Sequence, residues 1–438
     1  MQHIYPFNCN DPKGPPRTKE NYLDDIEKHN DTNDVVHGVK RDCCLNYLKY
    51  FNAVESTCID YMHSILEGVI KNFFNYWFEK PINSKFSLGK YMKEIDKRLL
   101  RIKPPKYIPN TPRSIYTHNL WRAHEYSTFI LFYALPVFNG LMGIEYYNNL
   151  KKLVIILENL LRPEININEL KNVEKVIFEF VEELSESEDA LYPKSIMLSG
   201  VHEMLHLVDC TITFGPLNSI NCFPFEELNR KIMSFTHGHD LIGEELYKIY
   251  SNLRILLKYV YSGKIKNSKI KSFITKNLDI KSSNRKRINE DKKMHLRSKP
   301  EITTNTLYLN ALNVFNGMAA TQLTFYTKII YKGVYYCSSI YNTKRCDSAF
   351  ITTTGNKGLI EKFIVVNDQV LVIAKKIVSI YNPFFITKFP SLKSKLHICV
   401  VSDEYFIEEI SKIKKKFLIK PESDTCFFST FSTSHLFN

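Results

Sequence analysis

TCID, residues 57–60, runs directly into YMHSILEGVIKNFFNYWF, residues 61–78, and this passage decides how the chain folds. In its second part Met62, Ile65, Leu66, Val69, Ile70, Phe73, Phe74 and Trp77 recur at steps of three and four, the interval that gathers side chains on one face of a helix. The first part is short and ends on an acid, so Asp60 reads as the junction between a strand and a helix.

Outward from this point the pattern divides the chain. Residues 1–44 are polar and turn-rich, with Asp11-Pro12-Lys13-Gly14-Pro15-Pro16 and then an acidic stretch, and they supply no central strand. Residues 81–195 show helical spacing in four or five segments, interrupted by the Pro-rich link PPKYIPNTPRS. KSIMLSGVHEMLHLVDCTI predicts one further helix, FEELNRKIMSF another, and residues 240–261 a third. Beyond Thr303 the chain becomes alternating and β-branched, with turn signals at Gly355-Asn356-Lys357-Gly358 and Asn367-Asp368, which predicts a small, separate all-β module.

With 438 residues, 44% hydrophobic and 24% charged, the composition is that of a globular protein of a few domains and excludes a disordered or collagen-like chain. The formal net charge of +13 favours an anionic partner such as nucleic acid. Ten cysteines without a CxxC pair read as reduced intracellular thiols. No secretory signal opens the chain. The one uncharged apolar stretch, Tyr126 to Ile144, contains Pro136 and two glycines, so it predicts two buried helices broken at Pro136 and no membrane span.

Two constellations could carry chemistry. His202-Glu203-Met204-Leu205-His206 matches HExxH, in which two histidines one helical turn apart ligate zinc and the acid activates water. Two hydrogen-bonded structural histidines on a core helix would leave the same trace. The second is Asp60 with Glu226, two acids at the starts of helices far apart in sequence. Such carboxylates can hold a divalent metal pair for phosphoryl transfer, and they also serve as ordinary helix caps.

Several segments in order resemble the transposases of CACTA-type DNA transposons, of the Plavaka-like branch. They are NDPKGPPRTKENYLDDI; HGVKRDCCLNYLKYFNAVESTCIDYMHSILEGVIKNFFNYWF; IPNTPRSIYTHNLWRAHEYSTFILFYALPVFNGLM; and SGVHEMLHLVDCTITFGPLNSINCFPFEELNRKIMSFTHG. The resemblance covers about residues 5–255 and implies an RNase H-like (DDE transposase) fold in which two Asp and one Glu hold divalent metal for DNA cleavage and joining. Asp60 matches the Asp of the family's D-x-M-H segment and Glu226 the Glu of its F-x-F-E segment. His63, Trp121, Glu125, His202 and His206 also fall on family motifs, with no role assigned. For Trp121, with Arg122 and Glu125, the favoured reading is a core aromatic and a surface ion pair on an amphipathic helix. The resemblance makes HEMLH a family helix, so no zinc is expected there.

The first Asp of such a site belongs on a central strand well upstream. Asp11, Asp24, Asp25, Asp31, Asp34 and Asp42 all lie in the polar segment without an apolar strand around them, so the first acid is not recognisable. The fold expected is therefore α/β. It has a partial RNase H-like core (45–80 and 196–262), an all-helical insertion (81–195), a basic linker (263–302), a small β domain (303–420) and a C-terminal tail (421–438). The function expected is that of a transposase-derived, DNA-associated nuclear protein, the C-terminal part of a transposase chain, catalytically incomplete. Mg²⁺ or Mn²⁺ would serve if the site were active, and a homo-oligomer or a missing N-terminal transposase half could complete it. The alternatives are an active metal-dependent strand-transfer enzyme, if an upstream exon supplies the first Asp, and a domesticated protein-interaction module.

Between Lys264 and Lys299 thirteen Lys and Arg face three acids. Arg285, Lys286, Arg287, Lys292 and Lys293 are the densest part. The run reads as a solvated linker or as a DNA-phosphate contact or nuclear import signal.

Overall fold

The computed structural model describes residues 3–108, 110–185, 190–234, 242–263, 265–277, 294–298, 324–340, 345–366, 369–422 and 425–429. The chain is a mixture of helix and antiparallel sheet, helical at first and β-rich at the end.

Helix 61–79 is the axis of the helical part. It buries Tyr61, Met62, Ile65, Leu66, Val69, Ile70, Phe73 and Phe74, then Tyr76, Trp77 and Phe78 in succession. A helix apolar on more than one side must be surrounded. Around it stand helices Met92–Leu100, 123–138, Ile144–Leu160, Ile167–Ser185, Ser199–Met204 and Leu207–Phe214. Phe74 meets Trp121, Tyr126 and Phe129 at ring-centroid distances of 5.5, 5.1 and 5.2 Å, and the Trp77 indole N–H donates to the Tyr192 hydroxyl at 2.9 Å. Parts of the axis, Tyr61–Ile70 and Asn75–Glu79, are wound in wider π-type turns.

The strand expected at 57–60 does not form. Residues 53–56 are turns and 57–60 run without a ladder partner, held instead by the Ile59 N–H on the Cys210 sulfur at 3.4 Å. A strand exists only where another strand takes its backbone groups, and the neighbours here are helices. Among the described residues of 45–262 no sheet is present, and the one bridge earlier in the chain joins Val36 to Val39.

The structure also differs from the sequence reading at the N-terminal segment, at Pro136, at HEMLH and at the linker and tail bounds. The polar N-terminal segment contains helix Lys19–Thr32, started by a reciprocal cap between Thr18 and Asn21. The chain does not break at Pro136: helix 123–138 carries Pro136 in its last turn and widens at Phe129–Tyr133 just before it, where proline lacks the N–H of a regular turn. No helix among the described residues is long and apolar enough to cross a membrane. The HEMLH segment is two short helices, Ser199–Met204 and Leu207–Phe214, that meet at Leu205-His206. The expected linker 263–302 holds helix Ser268–Asn277 and a first strand, and strands Leu418–Glu422 and Thr425–Ser429 reach into the expected tail.

The strands are β1 Met294–Leu296, β2 Phe325–Tyr326, β3 Lys328–Tyr331, β4 Val334–Cys337, β5 Ala349–Thr352, β6 Lys357–Val366 and β7 Gln369–Tyr381. They continue with β8 Phe385–Ile386, β9 Phe389–Lys393, β10 Leu396–Glu409, β11 Ile413–Lys416, β12 Leu418–Glu422 and β13 Thr425–Ser429. The main sheet runs β11-β5-β6-β7-β10-β13-β12, with β2 on β6, and all its pairs are antiparallel. Its two ends, β11 and β12, are consecutive in the chain and joined through Phe417, so the sheet curls toward itself. Ala349, Ile377, Cys399, Phe417, Ile419 and Cys426 line the inner face.

This module is not separate from the helices. Leu396, Leu418 and Phe427, with Phe384, Ile386 and Leu392, belong to the same apolar core as the axis helix. Polar ties reinforce the junction: Arg345 donates to the carbonyls of Pro105 and Ile108, and buried Glu158 accepts from Ser394 Oγ at 3.1 Å and Lys395 N at 2.9 Å.

Candidate functional site

Asp60 caps the axis helix. Its Oδ1 accepts from the Met62 N–H at 3.3 Å and its Oδ2 from the His63 N–H at 3.0 Å, the use of a side-chain acceptor that helix starts require. The same Oδ1 accepts the Cys222 N–H at 2.8 Å from 162 residues away. Cys222 is the residue before helix Phe223–Met233, whose Pro224 and first-turn Glu226 follow it. One carboxylate therefore ties together the starts of two helices.

His63 stands between the acids. Its Nδ1 lies 2.5 Å from Asp60 Oδ2 and its Nε2 lies 3.2 Å from Glu226 Oε1. Asp60 is largely shielded, with 18% of its side chain exposed, whereas His63 and Glu226 open to solvent at 53% and 57%. Burial works against the charge on Asp60, but the N–H groups of His63 and Cys222 and the His63 ring outweigh it and hold the carboxyl below its ordinary range. Burial would likewise lower His63, yet Asp60, then Glu226 and Glu67, keep its pKa raised. The Cys222 thiol is pushed up by burial and by the Asp60 charge.

Asp60, His63 and Cys222 each offer a ligand atom within 4.8 Å of the others, and among the described residues they form the one such group of three or more. A carboxylate has about four acceptor positions, and the four hydrogen bonds to Asp60 use them. A divalent ion can reach both acids only if the His63 ring turns away. Carboxylates suit Mg²⁺ or Mn²⁺, whereas the imidazole and thiol beside them suit softer ions. The residues fit a metal in kind, with His63 in its path. A bound ion would supply charge stabilisation and activation of an attacking oxygen.

The other sequence candidates fall elsewhere. His202 stacks on Tyr5 at 5.3 Å and meets the His206 ring edge at 5.2 Å, and burial lowers both imidazoles. Trp121 is a core aromatic, 7% exposed. Glu125 accepts the Arg122 N–H at 2.9 Å and pairs with Arg113 at 3.1 Å, so the ion pair uses Arg113. Arg285, Lys286, Arg287, Lys292 and Lys293 lie outside the described residues. Of the upstream acids, Asp25 pairs with Arg17 and His37, and Asp42 is bonded within its own turn to Asn46 and Tyr47. Sequence reasoning missed Cys222 as a member of the site; its place in CFPFE, four residues before Glu226, was the available signal.

No family model, curated protein or solved structure matches this chain.

Proposed function

We propose that the chain is a transposase-derived, DNA-associated protein that retains two of the three metal-binding acids of an RNase H-like phosphoryl-transfer site and does not cleave DNA by itself. The observation that carries this reading is the bridge Asp60–His63–Glu226, which joins two helix starts 166 positions apart in sequence at the two acids that the transposase resemblance marks. In this reading residues 45–80 and 196–262 are the elements that present the acids, residues 81–195 are the helical insertion, and the basic run at 285–293 serves a nuclear, DNA-bound protein.

Incomplete catalysis follows from the chemistry. In-line transfer needs a metal pair that stabilises both the attacking and the leaving oxygen, and among the described residues the ligand group around Asp60 is completed by His63 and Cys222, not by a further carboxylate. His63 bridges the two acids and occupies the space between them. The test is a cleavage assay on duplex and nicked DNA with Mg²⁺ or Mn²⁺, using the wild type, Asp60→Ala and Glu226→Ala. No cleavage by any of the three is expected. Wild-type cleavage abolished by both substitutions would establish the active strand-transfer enzyme instead.

A further inference from the structure

The inner face of the curled sheet changes character at one end. Over most of its length it is apolar, lined by Ala349, Ile377, Cys399, Phe417 and their neighbours. Strand register shows how this face ends. Lys415 on β11 is paired with Ile351 on β5, and Ile351 with Lys357 on β6. Register partners share a face, and residues two apart along a strand do so as well. Lys415 thus lies on the side of Phe417, and Lys357 on the side of Leu359, an inner-face residue.

The row continues across the next strands. Lys357 Nζ donates to Ser379 Oγ on β7 at 2.5 Å, and Ser379 is paired with Cys399 on β10. His397, two residues before Cys399, therefore closes the same edge, with Lys395 and the exposed Lys393 leading into it. With strands about 4.8 Å apart, Lys415 and Lys357 stand roughly 10 Å from each other, and the row from Lys415 to His397 spans roughly 20 Å. Lys357, Lys395, His397 and Lys415 are half-buried, so the lysines of the strip can shield their aliphatic stems while presenting their heads at the mouth of the curl.

The electrostatics agree with the geometry. Burial, then Lys357, Lys393 and Lys395, push His397 down to about 4. Burial, then Lys414 and Lys395, lower Lys415. Burial, then Arg162 and Lys393, lower Lys395, against the opposing pull of Glu158 and Glu169. Cations that depress one another in this way gain from a shared anion.

We infer that this basic rim, Lys357, Lys393, Lys395 and Lys415 around His397, is a phosphate-binding site for the backbone of a nucleic acid. Several cations along a strip match a chain of phosphates better than a single small anion. The inference deepens the DNA-associated reading by placing its contact on the sheet, independently of the run at 285–293 and of the Asp60 site.

The experiment measures binding of the full chain to a labelled 20-base-pair duplex of arbitrary sequence, over a range of salt and in the presence of a chelator. The chelator keeps the outcome apart from any metal effect at Asp60, and the 285–293 run is left intact. The rim variant is Lys357→Gln, Lys393→Gln, Lys415→Gln; the control, Lys85→Gln, Lys90→Gln, Lys171→Gln, removes equal charge from the helical part. Each lost phosphate contact lowers the slope of log K on log salt by about 0.9. The rim variant is expected to lose a slope of about 2 to 3 and the control less than 1. If the rim variant does not fold, Lys393→Glu alone, at an exposed position of the rim, replaces it and must also lower the slope. An unchanged slope in a folded variant, or an equal loss in the control, overturns the inference. So does inorganic pyrophosphate raising the melting temperature more than the duplex at equal phosphate concentration, which would assign the rim to a small anion.

Discussion

Glu158 shows how a single residue sets the response of the molecule to pH. It is 1% exposed, its carboxylate faces Ser394 and the Lys395 backbone, and burial, partly offset by those two donors, raises its pKa from 4.5 to about 7. Between those values the folded state holds a proton that the unfolded chain has released. Stability must therefore fall as pH rises from about 4.5 to 7 and level off above. The span corresponds to roughly 3 kcal/mol. Glu158→Gln keeps an acceptor for Lys395 and removes the titration, so its urea midpoint should exceed that of the wild type at pH 8 and lose this part of the pH dependence; identical pH profiles would refute the assignment. The sequence gives no hint of this residue, because its partner Ser394 lies 236 positions away, in the turn between β9 and β10. His63 and Glu226 were legible as motif positions, but the bridge between them was not. A hydrogen bond across two helix starts leaves no local pattern.

The helices were the most legible elements, and helix 61–79 above all, because its apolar spacing is a property of the segment itself. The strand at 57–60 was misread for the converse reason: extended residues become strand only through a partner, and Cys210 with the surrounding helices occupies that place. Pro136 was read as a break, whereas the wide turn before it lets the helix absorb the missing donor. Close packing between elements is most exposed to test at Gly200, where an added Cβ would stand 2.9 Å from the Ser64 carbonyl oxygen and 3.3 Å from Val69 Cγ2. The first of these is backbone and cannot swing aside. Gly200→Ala should therefore push helix Ser199–Met204 off the axis helix and cost about 1 to 3 kcal/mol, as overpacking does, read as a lower urea midpoint at unchanged slope. An unchanged midpoint would mean that the two helices do not approach so closely.

At the scale of the whole molecule, one apolar core runs from the axis helix into the curled sheet, although the sequence reads as two units separated by a basic linker. Alternation marked the β region but missed β1 and β13, which lie in the stretches read as linker and tail, and it cannot tell which face meets water and which meets a helix. The two proposed surfaces lie in different parts of this body: the paired acids at the helix starts, and the basic rim at the mouth of the sheet. The central claim is that Asp60 and Glu226 act as one site, and Mn²⁺ binding to the full chain, followed by electron paramagnetic resonance, tests it most directly. The account predicts one weak ion per chain that is lost in Asp60→Ala and in Glu226→Ala alike, and held more tightly in His63→Ala, where the ring no longer fills the space between the acids. Mn²⁺ binding that neither acid substitution changes would contradict it.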